Sequence, residues 1–180
     1  MKRAAALGTL CVGVALAACA AARIVVTVDV LSFLRADSVD AFSFGVRGGV
    51  PQTDVTVSRP FTLPARFGPG NIDSVAVTAG ATLQSTQGGG TVALDVFFAK
   101  DEASLFTGQP DVSAHATVSG VQTDTLLPPT TRSVNDSVFN TPNVWVGVRA
   151  RFATDTGPDM VGRVALTVLQ LRVVMHDQGF

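Results

Sequence analysis

The chain has 180 residues, enough for one domain with a sizeable core, and 47% of them are hydrophobic against 15% charged, which excludes an intrinsically disordered protein. The formal net charge is −1, and it becomes −3 without residues 1–18, because that segment holds Lys2 and Arg3 and no acidic residue. This charge argues against nucleic acid as a partner, since phosphate binding needs clustered Lys and Arg in excess.

The first predicted element is a leader. Met1–Arg3 precedes an apolar run that covers Ala4–Ala22. A short basic start followed by an apolar stretch is the pattern of a secretory signal peptide. Within the run, Leu16-Ala17-Ala18-Cys19 places one aliphatic and two small residues before a cysteine. This order of four residues resembles the lipobox of bacterial lipoproteins.

The lipobox resemblance implies a membrane anchor. It implies that a diacylglyceryl group is attached to the Cys19 thiol, that the chain is cleaved between Ala18 and Cys19, and that the new amino group is commonly acylated. It divides the chain into a signal peptide (1–18), a lipidated cysteine with a short tether (19–23) and one domain (24–180). Ala20 stands where an Asp often retains lipoproteins at the inner membrane. The resemblance therefore implies delivery to an outer membrane or, where the organism has none, to the outer face of the plasma membrane.

Three alternatives to a lipidated leader stay open, and the first is that Cys19 is an incidental small residue. An apolar run of 19 residues is long enough to span a membrane uncleaved, although its Ala and Gly make it weakly hydrophobic. The small residues near Ala18–Ala22 also suit ordinary signal peptidase. The sequence has two cysteines, Cys11 and Cys19, so the predicted mature domain has no internal disulfide and depends on its apolar core for stability.

Strand-like alternation of apolar and polar residues recurs from residue 23 onward, and no long helical stripe is present. The predicted strands are Arg23–Leu34, Ala41–Val46, Asp54–Leu63, Ser74–Gln84, Thr91–Ala99, Val112–Val118, Val121–Leu127, Val144–Phe152 and Val161–Met175. Many short strands at regular spacing predict an all-β protein, an antiparallel β-sandwich of jelly-roll or Greek-key type with about eight to ten strands.

Several local features refine this prediction. Pro60 places the second half of its strand at an edge or a bend, and Pro128-Pro129 predicts the end of another strand. Gly88-Gly89-Gly90 between two strands predicts a hairpin, and Asp101 can cap one helical turn that extends to Phe106. In the last strand the apolar phase changes near Val168–Leu169, which predicts a β-bulge or a strand that crosses a corner of the sandwich.

The residues that carry chemistry are few, and we predict no enzyme. Nucleophilic catalysis needs a nucleophile with a base in reach, yet the predicted domain has two histidines, one at His115 on a polar strand face and one at His176 in a C-terminal tail. There is no Gly-x-Ser-x-Gly motif. An enzyme whose residues assemble without a sequence motif is the alternative. We predict no cofactor and no metal, since two isolated histidines and no spare cysteine do not make a zinc site. Asp and Asn pairs such as Asp155 and Asp159 lack the spacing of a calcium loop and are typical turn residues; calcium bound in these loops is the alternative.

One surface is singled out as a candidate partner surface. Alternation places Trp145, Arg149 and Arg151 on one face of a strand, and Arg163 is a candidate to extend it. Trp and Arg are the usual anchors of interfaces, so this face is a candidate for a protein partner, a glycan or a lipid headgroup. The alternative is a strand face on which arginine stems cover the indole.

These features together predict a membrane-anchored envelope lipoprotein whose non-catalytic β-sandwich is a scaffold or binding component. Its partners are then the membrane, through lipid on Cys19, and an envelope protein or a glycan. A module that binds a small ligand or glycan at the membrane surface is the alternative.

Overall fold

The computed structural model describes residues 23–63, 72–133 and 136–176. The predicted leader, with Ala18 and Cys19, lies outside these residues. The strands are β1 (Arg23–Asp29), β2 (Ala41–Val46), β3 (Thr53–Thr62), β4 (Ile72–Gln87), β5 (Gly89–Ala99), β6 (Val112–Ser119), β7 (Gln122–Ser133), β8 (Asn143–Thr154) and β9 (Met160–His176). One α-helix, α1 (Val30–Ala36), follows β1, and a 3-10 helix covers Asp136–Asn140.

The strands form two antiparallel sheets that pack face to face. Sheet A has the order β1-β9-β4-β7, and β2 pairs with β9 on the same side as β1. Sheet B has the order β3-β8-β5-β6. From β2 to β9 the chain changes sheet at every connection except the one between β5 and β6. This is the strand order of a jelly roll, with β1 as an additional strand. The prediction of an all-β antiparallel sandwich is confirmed.

Period-two alternation builds the core between the sheets. In β8 the inward side chains Val144, Val146, Val148, Ala150 and Phe152 are all fully buried, because successive residues of a strand point to opposite faces. The ring of Phe152 packs against Phe44 of sheet A, with 4.5 Å between the ring centroids. Inward side chains from both sheets thus pack together in one core.

The long strand β9 contains the predicted irregularity. Its buried phase changes between Leu166 and Leu169. In the pairing with β4, Gly80 lies opposite Val168 and Ala81 opposite Leu166, so the residue between these two partners on β9 is left over. The extra residue is a β-bulge, and it moves the following side chains to the other face. The prediction of a bulge here is confirmed.

The first predicted strand is too long. The segment Arg23–Leu34 forms a strand only as far as Asp29 and then turns into α1. Arg23, which the sequence assigns to the tether, is the first residue of β1. The apolar spacing beyond Asp29 is that of one helix face, and three side chains of α1 are fully or almost fully buried: Val30, Leu31 and Leu34. Within the described residues no helix is long and apolar enough to cross a membrane.

The predicted hairpin at Gly88-Gly89-Gly90 is wrong. β4 belongs to sheet A and β5 to sheet B, so these glycines carry the chain from one sheet to the other. Gly88 has φ +83, a conformation that residues with a Cβ rarely adopt. A Cβ at this position would lie 2.4 Å from the carbonyl oxygen of Asp159. The glycines are therefore needed because the corner passes close against the connection between β8 and β9.

The proline predictions give one confirmation and one correction. Pro60 lies in β3, which is one of the two edge strands of sheet B, as predicted. Pro128-Pro129 does not end its strand, since β7 continues to Ser133. β7 is an edge strand of sheet A. Its pairing with β4 has a register irregularity at the two prolines. An edge strand tolerates proline because the missing N–H is not needed on the solvent side.

Candidate binding surface on sheet B

The outer face of sheet B is a grid of side chains in rows across its four strands. One row, read from β6 to β3, is His115, Ala93, Arg151 and Asp54. The next row is Ser113, Asp95, Arg149 and Thr56. Two further positions of β8 on this face are Gly147 and Trp145. Alternation in β8 therefore brings Trp145, Arg149 and Arg151 to one face, as the sequence predicts.

Arg163 does not extend this surface. It lies in β9 of sheet A, where it is opposite Ser43 and Gln84. Sheet A forms the other side of the sandwich, so Arg163 is separated from Arg149 and Arg151 by the whole core. Strand pairing, which a single sequence does not specify, decides this placement.

Asp95 is the charged centre of the outer face, and sequence reasoning missed it. Its side chain is completely buried, yet its Oδ2 atom lies 3.0 Å from Nη2 of Arg149 and 2.9 Å from Nη2 of Arg151. The hydroxyl of Ser113 donates to Oδ1 at 2.6 Å. Two charge-assisted contacts and a hydroxyl compensate for the removal of the carboxylate from water. The signal in the sequence is one Asp inside the apolar strand β5.

Trp145 is not an open contact residue. The loop 100–111 between β5 and β6 folds back over this half of the sheet, and Leu105 and Phe106 pack with Phe97 and Trp145. Gly147 makes room for the loop, because a Cβ there would lie 2.7 Å from Leu105. The indole is consequently half-buried beneath the loop.

Arg149 contacts an aromatic ring on the neighbouring strand β5. The guanidinium carbon of Arg149 lies 4.7 Å from the ring centroid of Phe97, not over Trp145. This cation–π contact and the Asp95 carboxylate together fix the guanidinium of Arg149. Arg149 is thus a structural arginine whose side chain is only 21% exposed.

The loop 100–111 is fixed at both ends. Ser104 N–H donates to Asp101 Oδ1 at 2.9 Å, so Asp101 caps a turn as predicted, although the segment forms turns and not the predicted helical turn. At the other end, Phe98 N–H donates to Asp111 Oδ2 at 2.8 Å. Burial raises the pKa of the Asp111 carboxyl above its usual value, and backbone hydrogen bonds from Phe98 and Asp111 act in the opposite direction. The anchored loop leaves the other half of the sheet face uncovered.

The uncovered half is an open depression of about 270 Å³. The small side chain of Ala93 lies between His115 on one side and Arg151 on the other, and this difference in size creates the depression. Its polar lining consists of Gln52, Thr91, Ser113, His115 and Arg151. Hydrogen-bond donors thus surround a small apolar floor.

Arg151 is the most available charged group of the depression. Its side chain is 37% exposed, and one amino group is held by Asp95. Its Nε atom is buried and has no hydrogen-bond partner among the described residues. Asp54 lies opposite on β3, where its Oδ1 accepts from Nε2 of Gln52 at 3.0 Å. Arg151 therefore presents a partly exposed guanidinium to the depression, with one amino group fixed by Asp95.

Neither histidine is paired with a nucleophile in the described part of the chain. His115 lies at the rim of the depression, but the neighbouring Ser113 hydroxyl donates to Asp95. His176 is the last residue of β9 and not part of a tail, a correction to the sequence prediction. Its Nδ1 atom lies 2.8 Å from Asp73 Oδ1 on sheet A. The described residues hold no group of three or more His, Cys, Asp or Glu placed to bind a metal ion.

Comparisons with known proteins give weak similarities of fold only. No family model and no curated protein matches the chain. Infectious bursal virus-derived T=1 particles are 10% identical over 86% of this chain and 36% of theirs, with a TM-score of 0.45. TmCBM61 in complex with β-1,4-galactotriose is 14% identical over 82% of this chain and 80% of its own, with a TM-score of 0.34. The chain thus spans about a third of the viral protein, and at these TM-scores neither similarity assigns a function.

Proposed function

We propose that the protein is a membrane-anchored, non-catalytic binding component of the cell envelope, and that the depression on sheet B is its binding site. The observation that carries this proposal is Arg151, whose side chain is 37% exposed at the edge of an open polar depression while Asp95 holds one of its amino groups. Arginine offers several N–H donors in a fixed plane, which suits carboxylates and vicinal hydroxyls.

The ligand class that fits the depression is a saccharide that carries a carboxylate, such as a uronic acid residue. Gln52, Thr91 and His115 present amide, hydroxyl and imidazole groups for sugar hydroxyls. Asp95 holds one amino group of Arg151 at 2.9 Å, so that the guanidinium is oriented before a ligand arrives. Such preorganisation reduces the entropy that binding removes.

Replacing Arg151 with alanine is expected to weaken binding of a uronic acid trisaccharide about tenfold, because a charge-assisted hydrogen bond is lost. Isothermal titration calorimetry of the full-length chain in detergent measures this change, with a neutral trisaccharide of equal length as the second probe. Calorimetry is preferable to tryptophan emission, because Trp145 is six positions from Arg151 along β8, roughly 20 Å, and is covered by loop 100–111.

Arg163→Ala is the matched control for this prediction. It removes an exposed arginine that lines a separate depression on the opposite sheet and is expected to leave the affinity unchanged. Emission from Trp145 before titration verifies that each variant is folded. If the acidic trisaccharide does not bind the unmodified chain, or if both variants lose the same affinity, the depression is not the binding site.

The anchor is a separate part of the proposal and rests on Leu16-Ala17-Ala18-Cys19. We expect mass spectrometry of the N-terminal peptide to find Cys19 as the first residue, with a diacylglyceryl group on its sulfur. Cys19→Ala is expected to release the protein from the membrane fraction, and Cys11→Ala is expected not to. An unmodified Cys19, or a chain that starts at another residue, contradicts the lipid anchor. Since β1 begins at Arg23, a lipidated Cys19 would hold the domain close to the membrane.

A further inference from the structure

In the part of the chain that the structure describes, β1 is an edge strand with no strand along one of its two sides. Within the described residues its strand neighbour is β9, with which all seven residues of β1 pair without a register shift. The backbone groups on the opposite side of β1 have no strand partner among those residues. A regular edge of this kind is a template for pairing with another chain.

The other sheet edges carry features that prevent such pairing, and β1 does not. β3 contains Pro60, and β7 contains two prolines and a register irregularity. β2 is only six residues long and includes Gly45, and β6 lies alongside β7 of the other sheet. The sequence of β1 is RIVVTVD, with no proline, glycine or lysine and with five β-branched residues in succession.

The apolar side chains of β1 are also partly exposed to solvent. Val25, on the outer face of sheet A, is 50% exposed. The three inward side chains are only half-buried: Ile24, Val26 and Val28. A further strand on this edge would cover apolar surface on both faces of the sheet, which favours association.

The sequence of β1 is complementary to itself when two copies run antiparallel. With Val26 opposite Val26 of the second copy, Arg23 of each copy lies opposite Asp29 of the other, and Ile24 lies opposite Val28. Directly opposite residues of opposite charge stabilise a strand pair. A parallel arrangement would instead bring like charges together. Arg23 is available for this contact, since its side chain is 74% exposed although its Nε atom is 3.6 Å from Asp73.

The helix that follows β1 does not obstruct this arrangement. α1 begins directly after Asp29, so in an antiparallel pair the two helices lie at opposite ends of the seven-residue edge. The side chain of Asp29 makes no capping hydrogen bond to α1. It is therefore free to face an arginine of the second copy.

From these observations we propose that the partner of β1 is a second copy of this chain. The two β1 strands pair antiparallel about Val26 and join the two copies of sheet A into one continuous sheet. A seven-residue edge is a small interface, so the dimer is reversible and a covalent trap is the suitable test. The proposal is independent of the ligand proposed for sheet B, which is the other side of the molecule.

The first test is disulfide trapping in membranes that contain the full-length chain. Val26→Cys is expected to form a disulfide-linked dimer under mild oxidation, because directly opposite residues have Cα atoms about 4.5–5.5 Å apart, within disulfide range. Val28→Cys faces the same side but is roughly 13 Å from its own copy in this register, and is expected to stay monomeric. The unsubstituted chain measures any background from Cys11 and Cys19.

The second test is charge reversal in the Val26→Cys background. Arg23→Asp alone and Asp29→Arg alone are each expected to reduce the dimer yield several-fold, because like charges then face each other. Coexpression of the two variants restores opposite charges and is expected to restore a mixed dimer. Circular dichroism verifies that each variant is folded. A Val26→Cys chain that stays monomeric, equal trapping of Val28→Cys, or yields that do not respond to charge would each overturn the proposal.

Discussion

Replacing Asp95 with alanine is expected to lower the free energy of unfolding by about 3 kcal/mol, a large share of the stability of a domain of this size. The variant leaves the guanidinium groups of Arg149 and Arg151 without a carboxylate, and the Ser113 hydroxyl without its acceptor. Because both arginines are partly exposed, water recovers some of the loss, and the value lies at the low end for a broken buried ion pair. Urea denaturation followed by circular dichroism measures it.

Asp54→Ala is the control for the carboxylate at Asp95. Asp54 is exposed on the edge strand β3 and accepts one hydrogen bond from Gln52, so its loss is expected to change stability by no more than about 0.5 kcal/mol. A triple variant with Asp95→Leu, Arg149→Met and Arg151→Met is expected to recover much of the stability lost by Asp95→Ala, since no charge is then left unpaired. Equal stability of the two single variants would contradict a central role for Asp95.

The second large effect is expected at the corner between the sheets. Gly88→Ala forces a residue with a Cβ into φ +83, at about 1–2 kcal/mol. The new Cβ would also lie 2.4 Å from the carbonyl oxygen of Asp159 and 2.6 Å from the Cα atom of Met160. Overpacking of this kind adds about 1–3 kcal/mol. The sum, about 2–5 kcal/mol, is measurable by the same denaturation.

Gly120→Ala separates the two causes. Gly120 has φ +74, but a Cβ there meets nothing within 4 Å. Its expected cost is the backbone strain alone, about 1–2 kcal/mol. The difference between the two variants then gives the cost of the contact with the β8–β9 connection. If Gly120→Ala is as destabilising as Gly88→Ala, the close contact at the corner has no energetic role.

The fold follows from the sequence wherever alternation is regular. In β8 each inward position is apolar, and the strand was predictable almost to its ends. The wrong predictions lie where one local sequence pattern is compatible with two different structures. The residues after Asp29 are apolar enough for a strand, but their spacing also suits one helix face, and that face packs against both sheets. Gly88-Gly89-Gly90 suits a hairpin within one sheet and a connection between two sheets equally well. Which of the two forms depends on the sheet to which β5 belongs.

The candidate site was predictable only within one strand. Trp145, Arg149 and Arg151 share a face because side chains alternate along β8. The roles of Asp95 and His115, and the separation of Arg163, depend on which strands are neighbours. Pairing between β5 and β8 joins Asp95 to Arg149, which is 54 positions away, and no local pattern encodes it. Residue type alone makes Trp145 a candidate contact residue, but loop 100–111 covers its indole.

The position of β9 has a consequence for the order of folding. This last described strand lies at the centre of sheet A and pairs with β1, β2 and β4. β1 and β2 therefore have no partner strand in sheet A until Met160–His176 is available. Contacts between such distant parts of a chain form slowly. A chain that emerges residue by residue therefore stays open until late, and an unfinished copy exposes the apolar edges of β1 and β4 to chaperones and proteases.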